Sequence, residues 1–228
     1  MKKFYSIIPK YSILPLSILI AVHLFTFFGT RLITDGTKHY DLTVALDLAI
    51  PLIPAFIVIY ILAYVQWGVG IYYGISHGRD VCFRFIASAL IGEFICMAIF
   101  LIMPTELTRF PVTGSDPFSW MTRLIYSLDE PNNLFPSLHC FASWLCFRII
   151  FYVEKEKRNT AYTVGSFIFT LLVFASTVFV KQHVAVDILG GVAAVEIAML
   201  TEKLTGAHRL FEKLDGKLFK KDNVPEGN

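Results

Sequence analysis

Charged residues are scarce in this sequence. Only 17% of its 228 residues are Asp, Glu, Lys or Arg, whereas soluble domains carry about 25%. Hydrophobic residues make up 55% of the chain and the mean hydropathy is +0.61, which excludes a disordered protein. The net charge is +2 and the basic residues are scattered, so no basic patch for a nucleic acid is present. The composition therefore predicts a polytopic membrane protein without a nucleic-acid partner.

Cysteine and metal-binding patterns are scarce as well. The four cysteines show no CxxC pairing, which argues against a disulfide framework or a zinc ribbon. The sequence contains no DxD pair and no array of aspartates for magnesium. We therefore expect neither a metal site nor a cofactor.

Apolar runs of about 20 residues, the length that crosses a bilayer, recur along the chain. They predict six membrane-spanning helices, at residues 11–29, 50–68, 83–103, 138–153, 162–180 and 183–200. The expected fold class is all-α, a polytopic bundle of six transmembrane helices. We divide the chain into a six-span membrane domain, 1–204, and a charged cytoplasmic tail, 205–228.

The distribution of Lys and Arg predicts the orientation. Fifteen of the twenty fall on one side of the expected spans, and cytoplasmic segments carry such an excess. Both termini are therefore expected in the cytoplasm, with the connections 104–136 and 181–182 on the outer face. The compact chain favours a bacterial plasma membrane. We interpret the tail as a solvated segment that fixes this topology, with an amphipathic segment on the inner leaflet as the alternative.

Three polar clusters fall on the expected outer face. They are PTELTRFP at 104–111, NNLFPSLH at 132–139 and STVFVKQHVAVD at 176–187. Polar residues at span ends are costly, so several of them at one face indicate a functional site.

In the third cluster His183 and Asp187 are four residues apart, a spacing that places both on one face of a helix. The carboxylate then accepts the imidazole N–H and leaves the other ring nitrogen to act as a nucleophile or base. A helix-capping pair and half of a metal site are the alternatives. Lys181 adds a positive charge for an anionic substrate, or anchors the span end at the interface.

The other two clusters add groups that suit an anion. Pro136 suits the first position of a helix, so Ser137 and His139 fall in a first turn whose free N–H groups attract phosphate. Arg109 lies in a loop between two prolines, and a guanidinium holds two phosphate oxygens at once. Taken alone, the FPSLH segment is also explained as a capped helix start, and Arg109 as a surface arginine. Together, two histidines, an oriented carboxylate and several cations form an inventory for phosphoryl transfer.

These segments resemble the type 2 phosphatidic acid phosphatase (PAP2) superfamily, in which KxxxxxxRP, PSGH and SRxxxxxHxxxD occur in this order. The matching segments here are TRFP, PSLH at 136–139 and STVFVKQHVAVD at 176–187. The resemblance implies a PAP2-like helical bundle that works through a phosphohistidine. By position, His183 is the nucleophile, Asp187 its orienting partner and His139 the acid for the leaving group. The substrate-binding residues carried over in the same way are Arg109, Ser137 and Ser176.

The sequence departs from the superfamily pattern at four positions. Ile102 and Thr177 stand where the motifs have lysine and arginine, so two cations are missing. Leu138 replaces the glycine of PSGH, and Phe110 is inserted before the proline of the first motif. We expect Lys181 to replace part of the lost charge. FPSLH with STxxxxxHxxxD is similar to the branch that includes the inositol phosphorylceramide synthases.

The resemblance implies hydrolysis of a phosphate monoester or diphosphate of a lipid, such as phosphatidic acid, a lysolipid phosphate or a polyprenyl phosphate, at the outer membrane face. The expected partners are this lipid phosphate substrate and the membrane lipids. Transfer of a phospho-headgroup to another hydroxyl, as in inositol phosphorylceramide synthases, is the enzymatic alternative. A non-catalytic anion transporter is the alternative of another class, although anion binding alone has no use for an HxxxD pair.

Further polar and small residues fall inside the expected spans. We expect Glu93, Glu196 and His23 to be hydrogen-bonded packing residues, with a role in substrate access as the alternative for the two acids. Gly190 and Gly191 are expected to permit a close approach between helices.

Overall fold

The computed structural model describes residues 8–218, and most of them are helical. Four helices are long and apolar enough to cross a membrane. They are α1 (Lys10–Thr34), α3 (Pro54–Ser76), α4 (Arg79–Ile102) and α7 (Thr160–Phe179). The other helices are α2 (Ala45–Ala49), α5 (Pro117–Leu128), α6 (Leu138–Tyr152), α8 (Ala185–Thr205) and α9 (Arg209–Leu218). Two short strands, β1 (Tyr40–Asp41) and β2 (Thr105–Glu106), pair in parallel.

The four long apolar helices correspond to the first, second, third and fifth of the six predicted spans. The fourth corresponds to α6, which extends roughly 24 Å and is shorter than the hydrocarbon core of about 30 Å. The sixth corresponds to α8, which is 21 residues long but carries Asp187, Glu196, Glu202 and Lys203. By length and composition, four of the six predicted spans are candidate membrane-crossing helices.

Side-chain caps fix where three of the helices begin. The Asp116 carboxylate accepts two backbone N–H groups of the first turn of α5. Ser137 Oγ accepts a backbone N–H at the start of α6, and Asn159 does the same for α7. Caps of this kind satisfy N–H groups that have no partner within the helix. They explain why the helices begin at these polar residues.

The long helices alternate in direction, which brings the three polar clusters to one end of the bundle. The C-termini of α1, α4 and α7 and the N-termini of α3, α6 and α8 lie there. Backbone hydrogen bonds join these termini, since Ile53 N–H donates to Phe179 O (2.9 Å) and Ser137 N–H donates to Asp187 O (3.1 Å). We call this the motif end.

Helix α4 is the most enclosed of the four long apolar helices, because 50% of an 18-residue apolar stretch within it is buried. It packs against α8 and α6, and its buried Phe85, Ile86 and Phe100 share one core with Ile149 and Val195. In contrast, α1, α3 and α7 expose many large apolar side chains. A surface of this composition suits lipid rather than water.

Gly190 and Gly191 lie where α8 passes the start of α6. A Cβ atom on Gly191 would lie 2.8 Å from Ser137 O and 2.9 Å from Phe141 N, both of which are backbone atoms. A Cβ atom on Gly190 would lie 2.5 Å from the Phe135 ring. The predicted close approach between helices is therefore confirmed.

The three polar residues predicted to be hydrogen-bonded packing residues have partners. His23 Nδ1 and Glu93 Oε1 are 2.7 Å apart and join α1 to α4. Glu196 accepts hydrogen bonds from Arg148 (2.6 and 2.9 Å) and from Trp144 (2.7 Å), which join α8 to α6. Each acid thus connects two helices.

The predicted tail begins as a helix that packs on the bundle. Phe211 of α9 is 5% exposed, and its ring centre lies 6.1 Å from that of Phe83 in α4. Arg79 Nε and Asp215 Oδ2 are 3.3 Å apart at the same contact. This first part of the tail is docked rather than solvated because its apolar face covers α4. Residues 219–228 of the predicted tail lie outside the described residues.

We predict that Gly191→Ala destabilises the protein. The added methyl group presses on the first turn of α6, and overpacking of this kind costs about 1–3 kcal/mol. Gly165→Ala is the matched control, because a Cβ atom there meets nothing within 4 Å and alanine favours a helix. Thermal unfolding in detergent measures both variants. A melting temperature of Gly191→Ala equal to or above that of Gly165→Ala would contradict the predicted crowding.

Candidate active site

His183 and Asp187 form a hydrogen-bonded pair at the motif end. His183 Nδ1 lies 3.0 Å from Asp187 Oδ2, and both residues are buried. His183 precedes α8, in which Asp187 is the third residue, so the pair spans the capping turn rather than one face of a helix. The same Oδ2 accepts the N–H of Val184 at 3.1 Å. Asp187 is thus a helix cap and a histidine partner at once, and it leaves His183 Nε2 as the basic nitrogen.

A tight turn positions His183. Lys181 adopts a left-handed backbone conformation with a φ of 55°. The N–H groups of Gln182 and His183 both donate to Thr177 O, at 2.9 and 3.1 Å. Thr177 therefore contributes a backbone acceptor at the position where the resembled motif has arginine.

His139 faces His183 from the first turn of α6. The two imidazole centroids are 6.3 Å apart. The ring of Tyr60, from α3, stacks on His139 at 4.2 Å, and its hydroxyl lies 3.4 Å from His139 Nδ1. His139 Nε2 is buried without a hydrogen-bond partner among the described residues. A buried polar atom without a partner is costly, so Nε2 is the atom that a ligand would satisfy.

Ser137 connects the two histidine-bearing elements. Its Oγ accepts the N–H of Cys140 at 3.3 Å, and its own N–H donates to Asp187 O at 3.1 Å. The side chain is fully buried. The structure therefore places Ser137 between the His139 turn and Asp187, with its hydroxyl acting as a helix cap.

Arg109 is bound to α5 and to the turn that carries His183. It donates to Tyr126 O at 3.1 Å and to Gln182 Oε1, next to His183. Its guanidinium lies 4.4 Å from the centre of the Tyr126 ring. Burial lowers the pKa of Arg109, while the negative charge of Asp129 raises it. Arginine stays charged in proteins, so Arg109 brings a positive charge to the motif end.

Lys181 is buried and bound to backbone carbonyls. Its Nζ donates to Asp47 O at 2.7 Å and to Ile50 O at 2.6 Å, which joins the His183 turn to α2. Burial lowers the pKa of Lys181, and the charge of Asp47 acts in the opposite direction. Lys181 and His183 line a second small cavity. The role of Lys181 as a phosphate ligand stays a prediction, because phosphate must compete with these carbonyls for the ammonium.

Both histidines line a cavity of about 20 Å³, which has room for about one water molecule. Arg31, Asp129 and Asn133 line it as well. Ser176 does not, since it is fully buried and its hydroxyl donates to the carbonyl of a residue in its own helix at 2.7 Å. The structure thus brings His139, His183, Asp187 and Ser137 together and leaves Ser176 apart.

Three residues at this site are missing from the sequence-based predictions, namely Arg31, Tyr60 and Asp129, whereas Asn133 belongs to the second polar cluster. Arg31 had a visible signal, because it follows a run from residue 11 to residue 30 without Asp, Glu, Lys or Arg. Tyr60 and Asp129 reach the site through packing between distant segments. No local pattern marks them.

Among residues 8–218, one group of three side chains of the His, Cys, Asp and Glu types is close enough to share a cation, and it consists of Asp80, His208 and Glu212. They belong to the start of α4 and to the region of α9, at the end of the bundle opposite His139 and His183. This group is therefore separate from the histidine site.

The fold and the site define a helical protein with several helices of membrane-crossing length and a histidine–aspartate pair opposite a second histidine. The chain belongs to the PAP2 superfamily, whose family model matches residues 78–201, more than half of its length. This membership suggests a function of the phosphatase or phosphotransferase type. The match contains His139, His183 and Asp187 and leaves out α1 and α3. No curated protein and no solved structure matched the chain.

We predict that Lys181→Met destabilises the protein, because the carbonyls of Asp47 and Ile50 lose their donor. An unsatisfied buried group costs about 1–3 kcal/mol. Lys38→Met is the matched control, since Lys38 is exposed at the same end of the bundle. Thermal unfolding in detergent measures both variants. An unchanged melting temperature for Lys181→Met would contradict the structural role, and full activity of the folded variant would rule out its predicted share in phosphate binding.

Proposed function

We propose that the protein is an integral-membrane lipid phosphatase that hydrolyses a phosphate monoester or diphosphate of a lipid through a phosphohistidine. The observation that carries this proposal is the His183–Asp187 pair with the His139 ring 6.3 Å from that of His183. Anion binding alone requires only cations and N–H groups. An oriented imidazole opposite a second imidazole suits nucleophilic attack coupled to proton transfer.

In the first half of the proposed reaction, His183 Nε2 attacks phosphorus and the bond between phosphorus and the lipid oxygen breaks. His139, as the imidazolium, gives its Nε2 proton to the departing oxygen. In the second half, neutral His139 takes a proton from water while the water oxygen attacks phosphorus. The bond to His183 then breaks, inorganic phosphate leaves, and both histidines return to their starting forms.

Two residues support these steps. Asp187 orients His183 and stabilises the positive charge that the ring acquires during attack. The Tyr60 hydroxyl suits both forms of His139, because the ring exchanges its proton at Nε2 and keeps Nδ1–H, from which the hydroxyl oxygen accepts.

The phosphate ligands proposed from the motifs are Arg109, Ser137, Lys181 and Ser176. Gln182 holds the guanidinium of Arg109 next to His183, and Ser137 opens the helical turn that carries His139. Lys181 and Ser176 already donate to acceptors of the protein. Their contribution requires these hydrogen bonds to exchange.

An apolar cleft supports a lipid as the substrate. This cleft, of about 230 Å³, is lined by α1, α3 and the start of α6 and reaches His139. Its lining includes the lipid-facing Leu24 and Phe28 of α1 and Tyr64 of α3. Phe27, Leu138 and His139 line both the cleft and the histidine cavity. An acyl or prenyl chain in this cleft would stay in an apolar environment while its phosphate reaches the histidines.

The proposal includes six membrane-crossing helices, α6 and α8 together with the four long apolar ones. Their alternating direction supports it, as does the excess of fifteen among twenty basic residues on one side. Charges on α8 have partners, since Glu196 pairs with Arg148 and Glu202 with His208. In this arrangement the domain 1–204 is catalytic, both termini are cytoplasmic, and the site opens at the outer face of a plasma membrane, which we propose is bacterial.

Transfer of the phospho-headgroup to another hydroxyl, as in inositol phosphorylceramide synthases, is the second candidate function. The observation that favours it is Leu138, which stands in place of the motif glycine and lines both the cavity and the cleft. An apolar side chain at this position reduces the room for water beside the phosphohistidine. Both reactions would pass through a phosphohistidine, and the acceptor is water in the first and another hydroxyl in the second.

We predict that His183→Ala abolishes phosphate release and that Asp187→Asn lowers it by about 10²- to 10⁴-fold, because the amide does not hold the imidazole in the required state. Asp116→Asn is the matched control, since Asp116 caps α5 and asparagine caps a helix equally well. Release of inorganic phosphate from phosphatidic acid, lysophosphatidic acid and polyprenyl diphosphate measures turnover. A substrate labelled with ³²P tests for an acid-labile phosphohistidine on the wild type.

Undiminished turnover by folded His183→Ala protein would contradict catalysis at this site. Equal losses in Asp187→Asn and Asp116→Asn would show that the effect is general. Appearance of the label on an added lipid or sugar hydroxyl, rather than as inorganic phosphate, would identify the transferase.

We predict that Leu24→Gln, in the cleft, lowers kcat/KM for a long-chain lipid phosphate by about tenfold, since burial of a leucine side chain is worth about 1.5–3 kcal/mol. Turnover of a short-chain, water-soluble phosphate ester should stay unchanged. The matched control is Leu171→Gln on α7, because Leu24 and Leu171 are 49% and 46% exposed. Equal effects of Leu24→Gln on the two substrates, or of the two variants on the long-chain one, would contradict the cleft as the chain-binding site.

A further inference from the structure

We propose that Arg31, at the end of α1, binds the phosphate of the substrate, and that Asp129 occupies its guanidinium while the site is empty. This inference rests on the proposed function, because it assigns a ligand to the same phosphate. Arg31 lies outside residues 78–201, to which the family model applies. The motifs of the superfamily therefore contain no position for it.

The site lacks positive charge where the motifs would supply it. Ile102, in the lysine position, is 82% exposed and apolar. Thr177, in the arginine position, is fully buried, and its hydroxyl donates to Phe174 O at 2.8 Å. Neither residue is able to neutralise a phosphate oxygen. A phosphate dianion needs cations around it, so another residue must supply the missing charge.

Arg31 has the position that this role requires. It lines the same cavity as His139 and His183. Among the described residues that line this cavity, no other residue is Lys or Arg. Its side chain is 14% exposed. Its Nε is buried and has no partner within the described part of the chain. The guanidinium therefore has an unused donor beside the two imidazoles.

The end of α1 is held in place relative to the histidine turn. Asn133 Nδ2 donates to Thr30 Oγ1 at 3.1 Å and to Thr34 Oγ1 at 3.3 Å, on both sides of Arg31. The Asn133 N–H donates to Thr105 O at 2.7 Å. Arg31 is thus positioned by the segment that leads into α6.

Asp129 is the group that a phosphate would replace. Its Oδ1 accepts from a terminal nitrogen of Arg31 at 2.6 Å, and it lines the cavity. A carboxylate and a phosphate present the same pair of oxygens to a guanidinium, and the phosphate carries more negative charge. The charge of Asp129 also raises the pKa of Arg109.

The competing explanation is a structural ion pair that only joins α1 to the loop before α6. The two explanations predict different signs for the same pair of variants. If the pair is structural, loss of either partner weakens the site in the same direction. If Asp129 occupies the phosphate position, Arg31→Gln weakens anion binding and Asp129→Asn strengthens it.

The experiment measures the Kd of inorganic phosphate for the full-length protein in detergent by titration calorimetry. We expect Arg31→Gln to raise this Kd by about tenfold or more, since a charged hydrogen bond is worth about 1.5–3 kcal/mol. We expect Asp129→Asn to lower it by at least about threefold, because the competing carboxylate is gone. Arg31→Lys, which keeps the charge but not the planar fork, should lie between Arg31→Gln and the wild type.

Two matched controls separate local contacts from net charge. Arg123→Gln removes an exposed arginine of the motif end that does not line the cavity. Glu130→Gln removes the neighbouring acid, whose carboxylate accepts from Asn132. Both controls should leave the Kd of phosphate within about twofold of the wild type. The melting temperature of each variant is measured alongside, and Arg31→Lys decides the outcome if Arg31→Gln does not fold.

An unchanged Kd in Arg31→Gln, a Kd raised or unchanged in Asp129→Asn, or an equal tightening in Glu130→Gln overturns the inference. The outcome is independent of the reaction. If the wild type binds phosphate through Arg31 but releases none from any lipid phosphate, the proposed function fails and the assignment of Arg31 stands. If turnover depends on His183 and the Kd does not depend on Arg31, the reverse holds.

Discussion

The buried carboxylate of Asp187 is the group on which the geometry of the site depends. It accepts hydrogen bonds from His183 Nδ1 and from the N–H of Val184, while its backbone carbonyl accepts the N–H of Ser137. Both hydrogen bonds of the carboxylate reach Oδ2, while Oδ1 is buried and has no partner among the described residues. The hydrogen bonds of Asp187 fix the start of α8, the orientation of His183 and the first turn of α6, which carries His139. Helix capping and histidine orientation are therefore one interaction.

A second constraint is the missing side chain at Gly191, which lets α8 pass directly over the first turn of α6. The helix pair brings the ring centres of His139 and His183 to 6.3 Å from each other. Asp187 and Gly191 lie one turn apart on α8. The same helix therefore carries Asp187, which orients the imidazole of His183, and Gly191, which sets the position of the turn that carries His139. The spacing of the two histidines is thus set by backbone packing and not by side-chain flexibility.

The sequence predicts those features that local contacts determine. Apolar runs predicted the long helices, and the four-residue spacing predicted the contact between His183 and Asp187, although a capping turn brings them together. The charged residues of α8 lower its mean hydropathy. A hydropathy pattern does not reveal that one of these charges, Glu196, pairs with Arg148. The contact between Arg31 and Asp129 joins positions 98 residues apart and depends on how α1 packs. No local spacing contains that information.

The cations of the motif end differ in what they bind, and this difference decides which of them are available to a substrate. Lys181 binds two backbone carbonyls, which move only if the loop around α2 moves. Arg109 binds one backbone carbonyl and a side-chain amide, so part of its bonding is fixed to the fold. Arg31 donates to the carboxylate of Asp129 at 2.6 Å and, at the longer distance of 3.3 Å, to the backbone carbonyl of Glu130. The shorter of the two bonds is made to a side chain, which leaves by rotation about its own bonds. In a protein with few charges, the cation that an anionic ligand binds at the lowest cost is one whose main partner is an anionic side chain, because one anion then replaces another.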